Sequence, residues 1–147
     1  MTCKASYSIP VRASRDTLWA VLRDKAENPG RYIAGFIASE VLEKTGNSIL
    51  CRLHTDRFDI IERITIDAAH RAVSFEMVDH PHYTGMLVNR IEPALSDDGY
   101  PVLTYAYDWE LREGVSAADD LSDLVQNALQ RAKTIAEAGF PRVAASR

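Results

Sequence analysis

Residues 116–140 carry the feature that most constrains this chain: one long amphipathic helix with both ends marked. Ser116 can cap the first turn, with Asp119 three places on. Gly139-Phe140-Pro141 is a stop signal. Between them Leu121, Leu124, Val125, Ala128, Ala132, Ile135 and Ala136 recur at helical spacing and form one apolar stripe. Asp119, Asp123, Gln126, Asn127, Gln130, Lys133, Thr134 and Glu137 occupy the other side. At roughly 1.5 Å per residue the expected rod is about 33 Å long. It would cross a whole small domain, so another element must cover its stripe. The two central stripe positions are Ala128 and Ala132. Small residues there either let the backbone pack close on a sheet or leave a hollow beneath the helix.

The preceding sequence supplies the cover. Ala5, Tyr7, Ile9 and Val11 alternate with other residues and predict a first strand, with Pro10 at an edge or a strand end. Ser14 opens a helix to about Glu27, with Leu18, Trp19, Leu22 and Ala26 on its inner face. Asn28-Pro29-Gly30 breaks it, and a short helical turn is expected over 31–34. The period then changes to two. Strands are expected over 36–43, 49–55, 58–67, 72–79, 83–92 and 102–112, joined by short links. Close spacing and short links mean an antiparallel meander. Six such strands after one isolated strand curl, and only the terminal helix can cover their inner face. The expected fold class is therefore α+β: a curved seven-stranded antiparallel sheet around a long C-terminal helix, with two short helices between strands 1 and 2.

The chain has 147 residues, which suits a single domain spanning 1–147 with a real core. A net charge of −4 without any Lys/Arg cluster argues against nucleic acid or an anionic membrane as partner. No apolar run reaches the roughly 20 residues of a membrane span. The polar start at Met1-Thr2-Cys3-Lys4 carries no secretion signal, and Cys3 and Cys51 make no disulfide framework, so a cytoplasmic location is expected. The ends, 1–4 and 142–147, read as frayed. No cofactor is expected, and a homodimer is compatible with the sequence.

The element order resembles the START / birch-pollen-allergen superfamily, also called SRPBCC, whose fold is the helix grip. The sequence is similar to its AtaL-like branch at Leu18-Trp19, Ala26-Glu27-Asn28-Pro29, Leu50-Cys51-Arg52, Ile60-Ile61-Glu62, Val88-Asn89-Arg90-Ile91 and Leu103-Thr104-Tyr105. The resemblance implies a pocket for a hydrophobic small molecule between sheet and helix. The superfamily includes lipid carriers, hormone receptors, polyketide cyclases and aromatases, and chaperone co-factors. Fold is implied more firmly than function.

Strand alternation names the inner-face residues. Phe58, Ile60, Ile64 and Ile66 share one side of their strand, and Glu62 sits in the middle of that side. A buried carboxylate must be paired or protonated. Glu62 is thus either a structural ion pair or a group able to orient or protonate a ligand. Its partner depends on the hairpin register. With a three-residue link after Thr55, Arg52 faces Glu62; with a two-residue link at Asp56-Arg57, Cys51 does and Arg52 meets water. Asp-Arg is poor chemistry for a two-residue primed turn, which favours the first register. The resemblance at Arg52 and Glu62 points the same way.

Phe75, Asn89, Tyr105, Tyr107 and Trp109 fall on the same inner surface, while Thr104 belongs outside. With Leu124, Ala128 and Ala132 from the helix, these residues form the expected ligand-binding wall. A dry core needs fewer polar groups than this surface carries. Glu62 is the one catalytic candidate, as general acid or base in a cyclase, aromatase or dehydratase reaction. His80-Pro81-His82 lacks a third ligand at a recognised spacing, so no metal site is expected. No phosphate loop or nucleophile elbow is present.

Overall fold

A computed structural model describes residues 2–113 and 121–140. Seven strands form one antiparallel sheet: β1 (Thr2–Pro10), β2 (Phe36–Thr45), β3 (Ser48–Thr55), β4 (Asp59–Asp67), β5 (Ala72–Asp79), β6 (Tyr83–Ile91) and β7 (Val102–Leu111). Helix α1 (Arg15–Glu27) and a 3₁₀ turn (Pro29–Arg31) lie between β1 and β2, and α2 (Ser122–Glu137) follows β7. The strand order is β1-β7-β6-β5-β4-β3-β2. Consecutive strands from β2 to β7 pair as hairpins, and β1 returns to the open side of β7. This is the α+β arrangement expected from the alternation. Residues 2–4 pair with β7 and are part of β1, so the N-terminal fraying expected there is corrected.

Helix α1 begins where Ser14 Oγ accepts the Thr17 N–H at 3.0 Å, the usual N-cap bond. It ends at Asn28, whose N–H bonds to Asp24 O. Pro29 then occupies the first position of the 3₁₀ turn, where its missing N–H costs nothing. The turn therefore starts two residues before the expected 31. Among the described residues helix α2 runs over Ser122–Glu137, about 24 Å at 1.5 Å per residue. The proposed caps at Ser116 and Asp119, and Pro141, lie outside the described residues. Gly139 does terminate α2: its φ of 89° is left-handed, and its N–H bonds to Ala136 O.

The core lies between the inner sheet face and the two helices. Leu18, Leu22, Leu103, Tyr105, Val73 and Ala132 are essentially inaccessible. Gly85 sits opposite Trp109 with φ 123°, and a Cβ there would fall 2.2 Å from the Asp108 carbonyl oxygen. Only glycine lets β6 approach β7 this closely. Thr104 does point to the outer face, yet it is buried there: its hydroxyl bonds to Ser8 Oγ and to Glu92 Oε2.

Candidate functional site

The two-residue link is the one that forms. Thr55 N donates to Phe58 O at 2.8 Å, and Cys51 pairs with Glu62. Asp56-Arg57 closes the hairpin without a primed turn because Thr55 Oγ1 accepts the N–H groups of Arg57 and Phe58, at 3.1 and 2.9 Å. A hydroxyl turn thus replaces the Gly or Asn chemistry. The expectation that Arg52 faces Glu62 is corrected. Arg52 lies outside the cavity, its side chain 49% exposed, and stands 3.9 Å from each of Glu40 and Asp59.

Glu62 does face inward. It lines a cavity of about 100 Å³ together with Leu53, Phe58, Ile60, Phe75 and Met77 from the sheet. Ile33, His80, Leu87 and Trp109 complete that side, and Leu121, Leu124, Val125 and Ala128 form the α2 side. The two alanines divide the alternatives between them. Ala128 borders the hollow, whereas Ala132 is fully buried outside the lining and packs close. A register shift between Ile61 and Glu62 leaves Val78 of β5 as an extra residue beside the carboxylate. Bulges of this kind re-aim neighbouring side chains.

Glu62 feels the charge of Lys25, from α1, without a direct ion pair or hydrogen bond to it. Lys25 is 4% exposed, lines the same cavity and donates from Nζ to Asn89 Oδ1 at 2.7 Å. Its Nζ lies 4.3 Å from the Phe75 ring centroid and 4.7 Å from that of Tyr105, geometry that favours an ammonium. Burial raises Glu62 from its ordinary 4.5 to about 7, although the Lys25 charge opposes the rise. Burial lowers Lys25 from 10.5 to about 8, against the pull of Glu62. Desolvation outweighs the mutual attraction in both groups. One side of Glu62 opens to the cavity, so the residue as a whole is half-buried.

Lys25 escaped the reading of the inner helix face because it is charged. Its spacing was the available signal: it falls three residues after Leu22 and seven after Leu18, on the buried stripe.

The other expected residues form a second layer. Asn89 and Tyr105 are fully buried behind Lys25, outside the cavity lining. Tyr107 stacks on Trp109 with centroids 4.2 Å apart. Asn89 Nδ2, Tyr105 Oη and Trp109 Nε1 are buried donors without a partner among the described residues. Leaving such groups unbonded costs about 1–3 kcal/mol each. Of the three, Trp109 belongs to a residue that borders the cavity. Cys51 is buried, and burial followed by the Glu62 charge raises its thiol, which opposes a nucleophilic role.

His80 also joins the site, at the strand break. Its Nδ1 accepts the N–H groups of His82 and Tyr83, at 3.0 and 3.1 Å. In the neutral ring the proton therefore resides on Nε2. Burial, then the charges of His82 and Arg112, lower its pKa from 6.5 to about 4. A folded-state value below the unfolded one contributes stability above about pH 6.5 that disappears as pH falls toward 4. The stability advantage of wild type over His80→Asn is expected to shrink by roughly 1–2 kcal/mol between about pH 7 and pH 4.5, read from urea unfolding. A constant difference would mean that His80 titrates normally.

A curved antiparallel sheet closed over a terminal helix, with a lined hollow between them, defines the helix-grip class of the START/SRPBCC superfamily. A family profile described as AtaL, Acetylaranotin biosynthesis cluster protein L, matches residues 8–138. The chain belongs to that family. Its fold is similar to the crystal structure of the Zhui aromatase/cyclase from Streptomyces sp. R1128, with a TM-score of 0.66 and 19% identity over 93% of this chain and 89% of that one. No curated protein sequence matches it. Among the described residues no helix is long and apolar enough to cross a membrane.

Proposed function

We propose that this single domain binds a hydrophobic, partly polar small molecule, an aromatic or polyketide-like metabolite or a lipid fragment, between the sheet and α2. The observation that carries the reading is an apolar cavity lined by both an amine and a carboxyl, Lys25 and Glu62. Apolar walls supply affinity, and Lys25, Glu62 and Trp109 orient the polar end. A hollow near 100 Å³ limits the buried part of the guest to about one ring or less, since cavities of about 150 Å³ hold benzene. Entry between the 3₁₀ turn and the break at His80 agrees with Ile33, Phe58 and His80 bordering the cavity. The free cysteines, Cys3 and Cys51, suit a reducing cytoplasm. Native mass spectrometry of freshly purified protein tests the reading: a co-purifying small molecule released on denaturation is expected. An empty protein that also binds no lipophilic dye would overturn it.

A cyclase or aromatase reaction is the second reading. It is favoured by the position of Glu62 on the cavity wall with a pKa near 7, suited to general acid or base work. The solved structure of similar fold is that of an aromatase/cyclase. Glu62→Gln separates the two. An enzyme loses at least about a hundredfold in turnover while keeping its ligand, whereas a carrier changes in affinity alone.

A further inference from the structure

Lys25 is the buried amine that simple ligand binding leaves without a reaction. Three features coincide at it. It borders an apolar cavity, it is 4% exposed, and the carboxyl of Glu62 lines the same cavity. The other groups around Nζ are the Asn89 carbonyl oxygen and the ring faces of Phe75 and Tyr105, none of which can take up its proton at neutral pH. The remaining lysines differ: Lys4 and Lys44 lie on the surface beside Asp108 and Glu27, and Lys133, 22% exposed, is held by Glu137 and the Pro10 carbonyl. Desolvated lysines are the ones that attack carbonyls.

Building on the ligand-binding reading, we propose that Lys25 forms an imine with an aldehyde or ketone held in the cavity, with Glu62 moving the protons. The Lys25 ammonium first gives a proton to the Glu62 carboxylate. The freed nitrogen pair bonds to the carbonyl carbon, and the carbonyl oxygen takes the proton back from Glu62. The nitrogen then returns one proton to Glu62, which delivers it to the new hydroxyl. Water leaves, the carbon–nitrogen double bond forms, and the products are a cationic imine beside an ionised Glu62. Total charge is unchanged, and no other reactant is needed. Such an imine acts as an electron sink next to the former carbonyl carbon, so the substrate class is an enolisable carbonyl compound of about one ring in size. The lowered pKa of Lys25 and the raised pKa of Glu62 agree with an amine and an acid available together near neutrality.

The test incubates the full chain with benzaldehyde and sodium cyanoborohydride near pH 7, followed by peptide mapping. Lys25 is expected to be benzylated at least about tenfold faster than Lys4, Lys44 or Lys133. In Glu62→Gln the Lys25 rate should fall by about a hundredfold, while the surface lysines, as internal controls, keep theirs. Lys25 reacting no faster than Lys4 and Lys44 overturns the imine. A lipophilic dye titrated in parallel separates the two claims. Dye binding without Lys25 labelling leaves the ligand-binding reading intact, and absence of both removes both.

Discussion

In Lys25→Met, folding stability is expected to gain on wild type by roughly 2–3 kcal/mol as pH falls from about 10.5 to about 8. The sign follows from the two shifts. Glu62 has a folded-state pKa above its unfolded value, so its contribution is fully present below 4.5 and is lost as pH rises through about 7. Lys25 has a folded-state pKa below its unfolded value, so its contribution is present above 10.5 and is lost as pH falls through about 8. In wild type the loss from Glu62 runs between about pH 4.5 and 7, and the gain from Lys25 between about pH 8 and 10.5. Methionine removes that gain and the counter-charge together. Glu62 then holds its proton to higher pH, and the penalty for ionising it keeps growing. Glu62→Gln should show the mirror image, gaining stability relative to wild type as pH rises from about 4.5 to 7. Urea unfolding at several pH values measures both. Parallel profiles for wild type and Lys25→Met would mean that Lys25 keeps its ordinary pKa.

The second large effect separates the two central alanines of α2. Ala128→Phe is expected to raise the Kd for a lipophilic dye at least about tenfold while costing less than about 1.5 kcal/mol of stability, because the new ring fills existing space. Ala132→Phe is expected to cost about 3 kcal/mol or more, because Ala132 is fully buried where no hollow lies. Dye fluorescence and urea unfolding on both variants check this. Equal destabilisation by the two would mean that α2 lies flush along its whole length.

These contrasts show what the sequence could and could not carry. Period-two alternation located all seven strands, because each is long enough for one face to be buried and the other wetted. It also placed Glu62, Phe75, Asn89, Tyr105, Tyr107 and Trp109 on the inner face. Register across β3–β4 was not legible. A one-residue difference in the link flips the facing residue, and the Thr55 hydroxyl that fixes the link is a tertiary detail. Arg52 was misplaced for that reason. Lys25 was hidden because charged helix residues are usually solvated, and only the fold supplies Glu62, Asn89 and two rings around it. His80 was set aside because its role depends on two backbone donors brought to Nδ1 by the strand break.

Everything functional here depends on a small molecule entering the hollow between the sheet and α2. Methyl NMR during titration with a single-ring apolar probe observes that hollow directly, through Leu53, Met77, Leu87, Leu124, Val125 and Ala128. Saturable shifts confined to these methyls, with the exposed Ile37 and Val41 of β2 unchanged, are the expected result. Silent cavity methyls, or shifts only at Ile37 and Val41, would contradict it.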